Sequence, residues 1–206
     1  MLSREPNVYL HLIRHGSTVA IEQDLYSGVG NISLSKKGKK EVLKHQKKGG
    51  YPASVDLFYS GQLARCIETL HLIYGEDVSY QTIGELNEQH LGTLDLKSFE
   101  AIKTSKRYLP WLLDQTGDVP CPEGESLNQF KMRVKLGYHF LRGYLRKKAT
   151  EPRVYHVVLV THGSVIAILM GSLLPNFKTR KNWIPAPGRG YTLYFKGETL
   201  EKHEEL

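Results

Sequence analysis

The chain has 206 residues, 40% hydrophobic and 24% charged, which suits one globular domain with a core of its own. Its formal charge is +7, yet residues 35–48 (SKKGKKEVLKHQKK) hold seven lysines and one glutamate, and without them the chain carries only +1. A patch so local, free of arginine and aromatic residues, reads as a solvated lysine-rich helix rather than a nucleic-acid surface.

In chain order, Val8–Ile13 reads as a buried strand. Ser35 is placed to cap a helix running to about Lys48, which Gly49-Gly50 would stop. A second strand is expected over Val55–Tyr59, a helix over Gln62–Tyr74 and a third strand over Val78–Thr82. Residues 84–125 are irregular, with a helix expected near Ser98–Arg107 and a turn-rich run, TGDVPCPEGES. From Ser126, Leu127, Phe130, Val134, Tyr138, Leu141 and Leu145 follow helical spacing, and Lys147-Lys148 suit the negative end of the helix dipole. The strand Val154–Val160, a helix after Gly163, the loop IPAPGRG and the strand Tyr191–Lys196 complete the chain. Strands alternating with helices predict an α/β fold. The whole, 1–206, reads as a single domain: a three-layer α/β/α sandwich with a mostly parallel sheet and 84–125 as a cap-like insertion.

Val157–Leu174 lacks Asp, Glu, Lys and Arg and is long enough to span a bilayer. Thr161-His162-Gly163-Ser164 interrupts it, so a buried strand, a turn and a packed helix fit better. Two cysteines, Cys66 and Cys121, are too few for a disulfide scaffold. The N-terminal apolar run is short and broken by His11 and shows no leader pattern. A reducing, cytoplasmic setting is the expectation.

Two strands end in a histidine followed by glycine: Arg14-His15-Gly16 and Thr161-His162-Gly163. In a parallel sheet, ligands bind outside the carboxyl ends of the strands. Neighbouring strands would therefore bring His15 and His162 face to face. Arg65, in SGQLARCIET after the strand VDLFY, falls at another such end. Arg14 and Arg65 could both fork onto phosphate oxygens. His11 and His15 stand four apart, a zinc spacing on a helix, but on a strand they would be about 13 Å apart, too far to share one ion.

LIRHGST, YSGVGNISLSKKGKKE, YSGQLARCIET, LNEQHLG, CPEGESLNQFKMRV and VLVTHGSVI, in that order, resemble the motifs of the histidine phosphatase superfamily, the phosphoglycerate mutase-like family. The resemblance implies that His15 is the nucleophile taking the phosphoryl group, and that Arg14, Arg65 and His162 bind its oxygens. It implies Glu88 as general acid, rather than Glu85, because Glu88 stands four residues before Gly92. His162 thus counts with His15 and Glu88 in the catalytic set, and Ser17 and Thr18 are candidate phosphate donors, with capping as the competing role. Tyr26, Asn31 and Gly163 are assigned to the substrate rim. Trp183, Arg189 and Tyr191 are within reach of it too, but core packing for the aromatics and solvent contact for the arginine are the favoured readings. No metal and no cofactor are called for, since two arginines and a second imidazole can hold the charge of a phosphoryl group. The sequence departs from the pattern at Ile21, where asparagine is frequent, at Asn31, where aspartate is common, and at Leu94-Asp95-Leu96, which replaces Trp-Glu-Gly.

The expected activity is metal-independent hydrolysis of small phosphate monoesters through a phosphohistidine. A phosphoglycerate mutase, sharing the phosphohistidine step, is the alternative; mutases generally carry a longer insertion than 84–125. A non-catalytic phosphate-binding or nucleic-acid-binding module ranks lower, because none of the five chemical residues is lost. The expected partner is a small phosphorylated metabolite, without nucleic acid or membrane, and a homodimer stays open.

Overall fold

A computed structural model describes residues 7–175 and 180–206, the side chains of 180 and 181 excepted. The first six residues of the stretch inspected for a leader lie outside the described residues. Six strands form one sheet: β1 (Asn7–Arg14), β2 (Leu57–Ser60), β3 (Gln81–Thr82), β4 (Val154–Thr161), β5 (Gly190–Lys196) and β6 (Thr199–Glu205), in the order β3-β2-β4-β1-β5-β6. The first four are mutually parallel, while β5 runs antiparallel to β1 and β6 antiparallel to β5. The sheet is mostly parallel, as expected, and carries an antiparallel hairpin that closes one side.

The helices are α1 (Val19–Glu22), α2 (Lys36–Lys47), α3 (Ala64–Tyr74), α4 (Phe99–Ile102), α5 (Leu109–Leu112), α6 (Leu127–Lys148) and α7 (Gly163–Leu173). One face of the sheet packs Val8, Leu10 and Leu12 of β1 with Phe130, Val134 and Leu141 of α6 and the apolar length of α7. The other packs Ile13, Val158 and Val160 against Val42 of α2 and Cys66, Leu70 and Ile73 of α3. Burial on both faces explains why β1 and β4 read as continuous apolar runs instead of alternating ones. The charge-free stretch Val157–Leu174 resolves into the end of β4, a turn at His162 and α7. No helix among the described residues is long and apolar enough to cross a membrane.

Helix boundaries follow local chemistry. Ser35 caps α2 by accepting from Gly38 N–H, and Gly49 (φ 70°) follows its end. Ser126 and Gln129 close a reciprocal capping box on α6. Of the helix expected near Ser98–Arg107 only one turn forms, α4 capped by Ser98; a second single turn, α5, opened by Pro110, follows beyond it. The polar run Lys103–Arg107 between them has no apolar stripe with which to extend either. These pieces surround Leu91, Leu94, Ile102, Tyr108 and Cys121, a cluster separate from the two sheet faces. Leu96, where the family pattern has glycine, adopts φ 61°, a conformation glycine reaches freely and leucine does not.

Two helical glycines have opposite meanings. A Cβ on Gly38 would run into the Ser17 backbone, so glycine there lets α2 close on the loop after β1. A Cβ on Gly143 in α6 would meet nothing. Gly38→Ala is expected to lower the thermal midpoint despite alanine's helix propensity. Gly143→Ala is expected to stabilise by about 0.5–1 kcal/mol, raising the midpoint by roughly 1–4 °C. Thermal unfolding of the two variants beside wild type checks both signs.

Candidate active site

The parallel pairing of β1 with β4 sets Arg14 opposite Thr161, so the two strand–His-Gly units leave the sheet side by side. His15 N–H donates to the Thr161 carbonyl at 2.9 Å. The rings of His15 and His162 lie 5.2 Å apart, edge to face. Both are buried, at 4% and 0% exposure.

The His15 ring is oriented by its own neighbour: Nδ1 lies 2.7 Å from the Gly16 carbonyl, which can only accept, so Nδ1 carries the proton and Nε2 keeps its lone pair. Nε2 accepts from Arg65 Nε at 3.3 Å. Gly16 N–H in turn donates to Thr69 Oγ1 at 3.0 Å, which ties the loop to α3. Burial, then Arg65, hold the His15 pKa well below the usual histidine value. Burial, then His15 and Arg65, do the same for His162. Both rings are therefore neutral near pH 7, the form in which an imidazole is a nucleophile or a neutral donor.

The guanidinium groups are held by backbone oxygens. Arg65 donates from Nη1 to Gly30 O (2.8 Å) and from Nη2 to Gly28 O (2.7 Å). Arg14 Nη1 donates to Pro185 O at 2.7 Å, while its Nε is shielded from solvent without a hydrogen-bond partner. A Cβ on Gly163 would stand 3.0 Å from that Nε, so glycine at 163 makes room for Arg14, a supporting task distinct from the rim assignment. Arg14 N–H also donates to the Arg189 carbonyl, fastening β1 to the loop before β5.

Glu88 is 9% exposed and accepts from Gln89 N–H at 2.8 Å. Burial raises its pKa, against the opposing pull of that N–H, Arg65, the Ser164 hydroxyl and Arg14. Glu85 points elsewhere: its Cβ packs against Gly137 on α6 and its carbonyl accepts from Arg133. Cys66 Sγ lies 3.5 Å from His162 Nε2, and burial pushes the thiol up to about 12, so it stays protonated.

The remaining candidates divide. Ser17 is 6% exposed, and its carbonyl accepts from Ser35 N–H. Thr18 caps α1. Asn31 Oδ1 accepts from Ala64 N–H at 2.7 Å and so caps α3, whose N-cap Leu63 has no side-chain acceptor. Tyr26 packs edge-on against Trp111. Trp183 and Tyr191 are buried in the core, against each other and, for Trp183, against His203. His11 hydrogen-bonds Thr192 and His156.

Two supporting residues lie within the quoted motifs but receive no role from the sequence. Arg133 on α6 donates to the carbonyls of Glu85, Asn87 and Glu88 and pairs through two nitrogens with Glu125. It thereby fixes the loop that presents Glu88. The Thr161 hydroxyl donates to Leu86 O at 2.7 Å from the other side.

Residues 10–193 match the family model described as the histidine phosphatase superfamily (branch 1). Over 174 residues the chain is 26% identical to the adenosylcobalamin/alpha-ribazole phosphatase of Salmonella typhimurium, covering 80% of this chain and 79% of that one. It is 35% identical over 108 residues to the 2,3-bisphosphoglycerate-dependent phosphoglycerate mutase of Wigglesworthia glossinidia brevipalpis, covering 49% and 44%. Among solved structures, the alpha-ribazole phosphatase from Shigella flexneri superposes with TM-score 0.79 at 23% identity over 94% of both chains. The phosphoglycerate mutase from Bacillus anthracis does so with TM-score 0.73 at 18% identity over 98% and 94%. At these identities the structural likeness speaks to the fold.

The buried rings make stability depend on pH. His11 is lowered to about 4 by burial and by His156, and His15 and His162 are lowered as well. In the unfolded chain these groups take protons near pH 6.5, whereas the folded chain refuses them until lower pH. Their contribution is present above about pH 6.5 and is lost as pH falls. Glu88, with its raised value, acts in the opposite sense, one group against three. Thermal unfolding is thus expected at lower temperature at pH 5 than at pH 7, with a shallower slope in His11→Gln.

Proposed function

We propose that this chain, which belongs to the histidine phosphatase superfamily, hydrolyses small phosphate monoesters through a phosphohistidine intermediate. The observation that carries the reading is the His15 ring. Its Nδ1 proton is committed to Gly16 O, which leaves Nε2 as the attacking atom beside two arginines and a second neutral imidazole.

In the first step His15 Nε2 forms a bond to phosphorus and the ester P–O bond breaks. The leaving oxygen takes its proton from Glu88. Arg14 and Arg65 hold the equatorial oxygens, where charge concentrates in the transition state, and His162 donates one further hydrogen bond. On arrival of the phosphoryl group Arg65 Nε–H, keeping its proton, exchanges His15 Nε2 for a phosphoryl oxygen as hydrogen-bond acceptor, which frees the nucleophile. In the second step Glu88, now a carboxylate, takes a proton from water as that water attacks phosphorus. The P–N bond breaks, and inorganic phosphate and neutral His15 are regenerated. Residues 84–125 act as the cap, shielding Glu88 so that burial raises its pKa and favours the acid form.

The positive charge comes from guanidinium groups, so the reaction runs without a metal. Similarity to alpha-ribazole phosphatases over about four-fifths of both chains supports a phosphatase, and the mutase match covers about half of each. A cytoplasmic location fits the two free, buried cysteines.

Turnover of p-nitrophenyl phosphate in excess chelator is expected to equal that without chelator, and His15→Ala is expected to lose more than about 10³-fold. Interconversion of 3- and 2-phosphoglycerate primed with the bisphosphate, faster than hydrolysis, would replace the phosphatase reading with the mutase one. Glu88→Gln is expected to slow hydrolysis of alkyl phosphates by about 10²–10⁴-fold. Its effect on p-nitrophenyl phosphate should be much smaller, because that leaving group departs without a proton. Rates for the two substrate types measured side by side decide the role of Glu88.

A further inference from the structure

Arg65 is aimed by two carbonyls, those of Gly28 and Gly30. Carbonyls of a loop hold a guanidinium in place only if the loop is itself fixed, and the loop between β1 and α2 has no ladder partner at these residues. Asp95 supplies the fixing. Its Oδ1 accepts from Gly28 N–H and its Oδ2 from Gly30 N–H, both at 2.7 Å. One carboxylate thus grips the amides of the same two residues whose carbonyls grip Arg65. Charge-assisted bonds of this kind are the stronger class.

Both glycines have a reason to be glycine. A Cβ on Gly30 would press on Asp95 Oδ2, and one on Gly28 would stand 2.7 Å from Gln89 O. The aspartate is itself anchored. It follows a 3-10 turn, Gly92–Leu94, whose Leu94 is fully buried. The backbone beyond it is stitched to the same loop by Tyr26 N–H to Lys97 O, Leu96 N–H to Tyr26 O, and a bridge between Leu25 and Ser98. Leu96 holds its left-handed φ of 61° at the point where the chain turns from Asp95 into that stitch.

We propose that Asp95 is a positioning residue for Arg65, acting through the Gly28 and Gly30 backbone so that the 84–125 segment sets the aim of the phosphate-binding guanidinium. The inference rests on the reading of Arg65 as a phosphate ligand. Arg65 Nε sits 3.3 Å from the attacking His15 nitrogen, so a tilt of the guanidinium alters both the grip on phosphate and the freedom of the nucleophile.

The test is a double-mutant cycle. Asp95→Ala, Asp95→Asn, Arg65→Ala and Asp95→Ala/Arg65→Ala are compared with wild type for p-nitrophenyl phosphate hydrolysis, for inhibition by inorganic phosphate and for thermal midpoint. Asp95→Ala is expected to lose about 10²-fold in kcat/KM, the scale of a displacement of about 1 Å at a reacting centre, and to weaken phosphate inhibition. Asp95→Asn, with the same volume and one acceptor kept, is expected to lose less, and it decides the matter if the alanine variant does not fold. In the Arg65→Ala background, Asp95→Ala is expected to change rate and phosphate inhibition by less than about twofold, because partners acting through one another are not additive. A merely structural aspartate would carry its full loss into that background, and that result overturns the proposal. So does wild-type phosphate inhibition in the Asp95 variants while Arg65→Ala loses it. Wild-type phosphate inhibition in Arg65→Ala itself would instead overturn the reading of the site.

Discussion

Arg65, buried, and Arg14, partly buried, are held by backbone carbonyls instead of carboxylates, and the site follows from that choice. A carbonyl satisfies a guanidinium N–H but leaves its charge uncancelled. Arg65 is bound by Gly28 and Gly30 and Arg14 by Pro185, so both arrive at the pocket with their positive charge available. Ion pairing with aspartate or glutamate at the same places would cancel the charge that the proposed phosphate ligand needs. The nearby acid, Glu88, is buried, and burial raises its pKa against the pull of Arg65 and Arg14. Two cations and two neutral imidazoles are thus gathered with a carboxyl group whose pKa burial raises.

The topology is what lets distant parts of the chain meet there. Parallel strands put the ends of β1, β2 and β4 on one edge, and each end delivers one chemical segment: Arg14-His15, the approach to Arg65, and His162. The helix after β4 begins directly at His162, so its positive end faces the site. Glu88 is the exception. It comes from outside the sheet and needs its own scaffold, which Arg133, Glu125 and Thr161 provide.

The strand–His-Gly units were legible because their pattern is local: an apolar run, a sharp turn and a reactive side chain within a few residues. The helix starting at Ser126 was legible for the same reason, its capping box and apolar stripe being periodic signals. What escaped the sequence acts across space. Asn31 caps a helix that begins 33 residues later, and Arg133 reaches three carbonyls 45 to 48 residues away. Carbonyl ligands leave no residue-type signature, since every residue has one. Gly38 looks like a defect in a lysine-rich helix until the Ser17 backbone is seen lying against it. Strand β6, TLEKHEE, was missed because it has no apolar face to alternate; it pairs with β5 and carries mostly exposed side chains.

That last strand bears on the molecule's behaviour in a crowded solution. A sheet's outermost strand is a row of vacant peptide groups on which a stray chain can polymerise. Here one border is β6, where Glu201, Lys202 and Glu204 put full charges along the rim. The opposite border is β3, only two residues long, Gln81 and Thr82. A foreign strand seeking to dock would find electrostatic hindrance on one flank and almost no length to grip on the other, so the sheet that gathers the reactive groups offers little purchase for polymerisation.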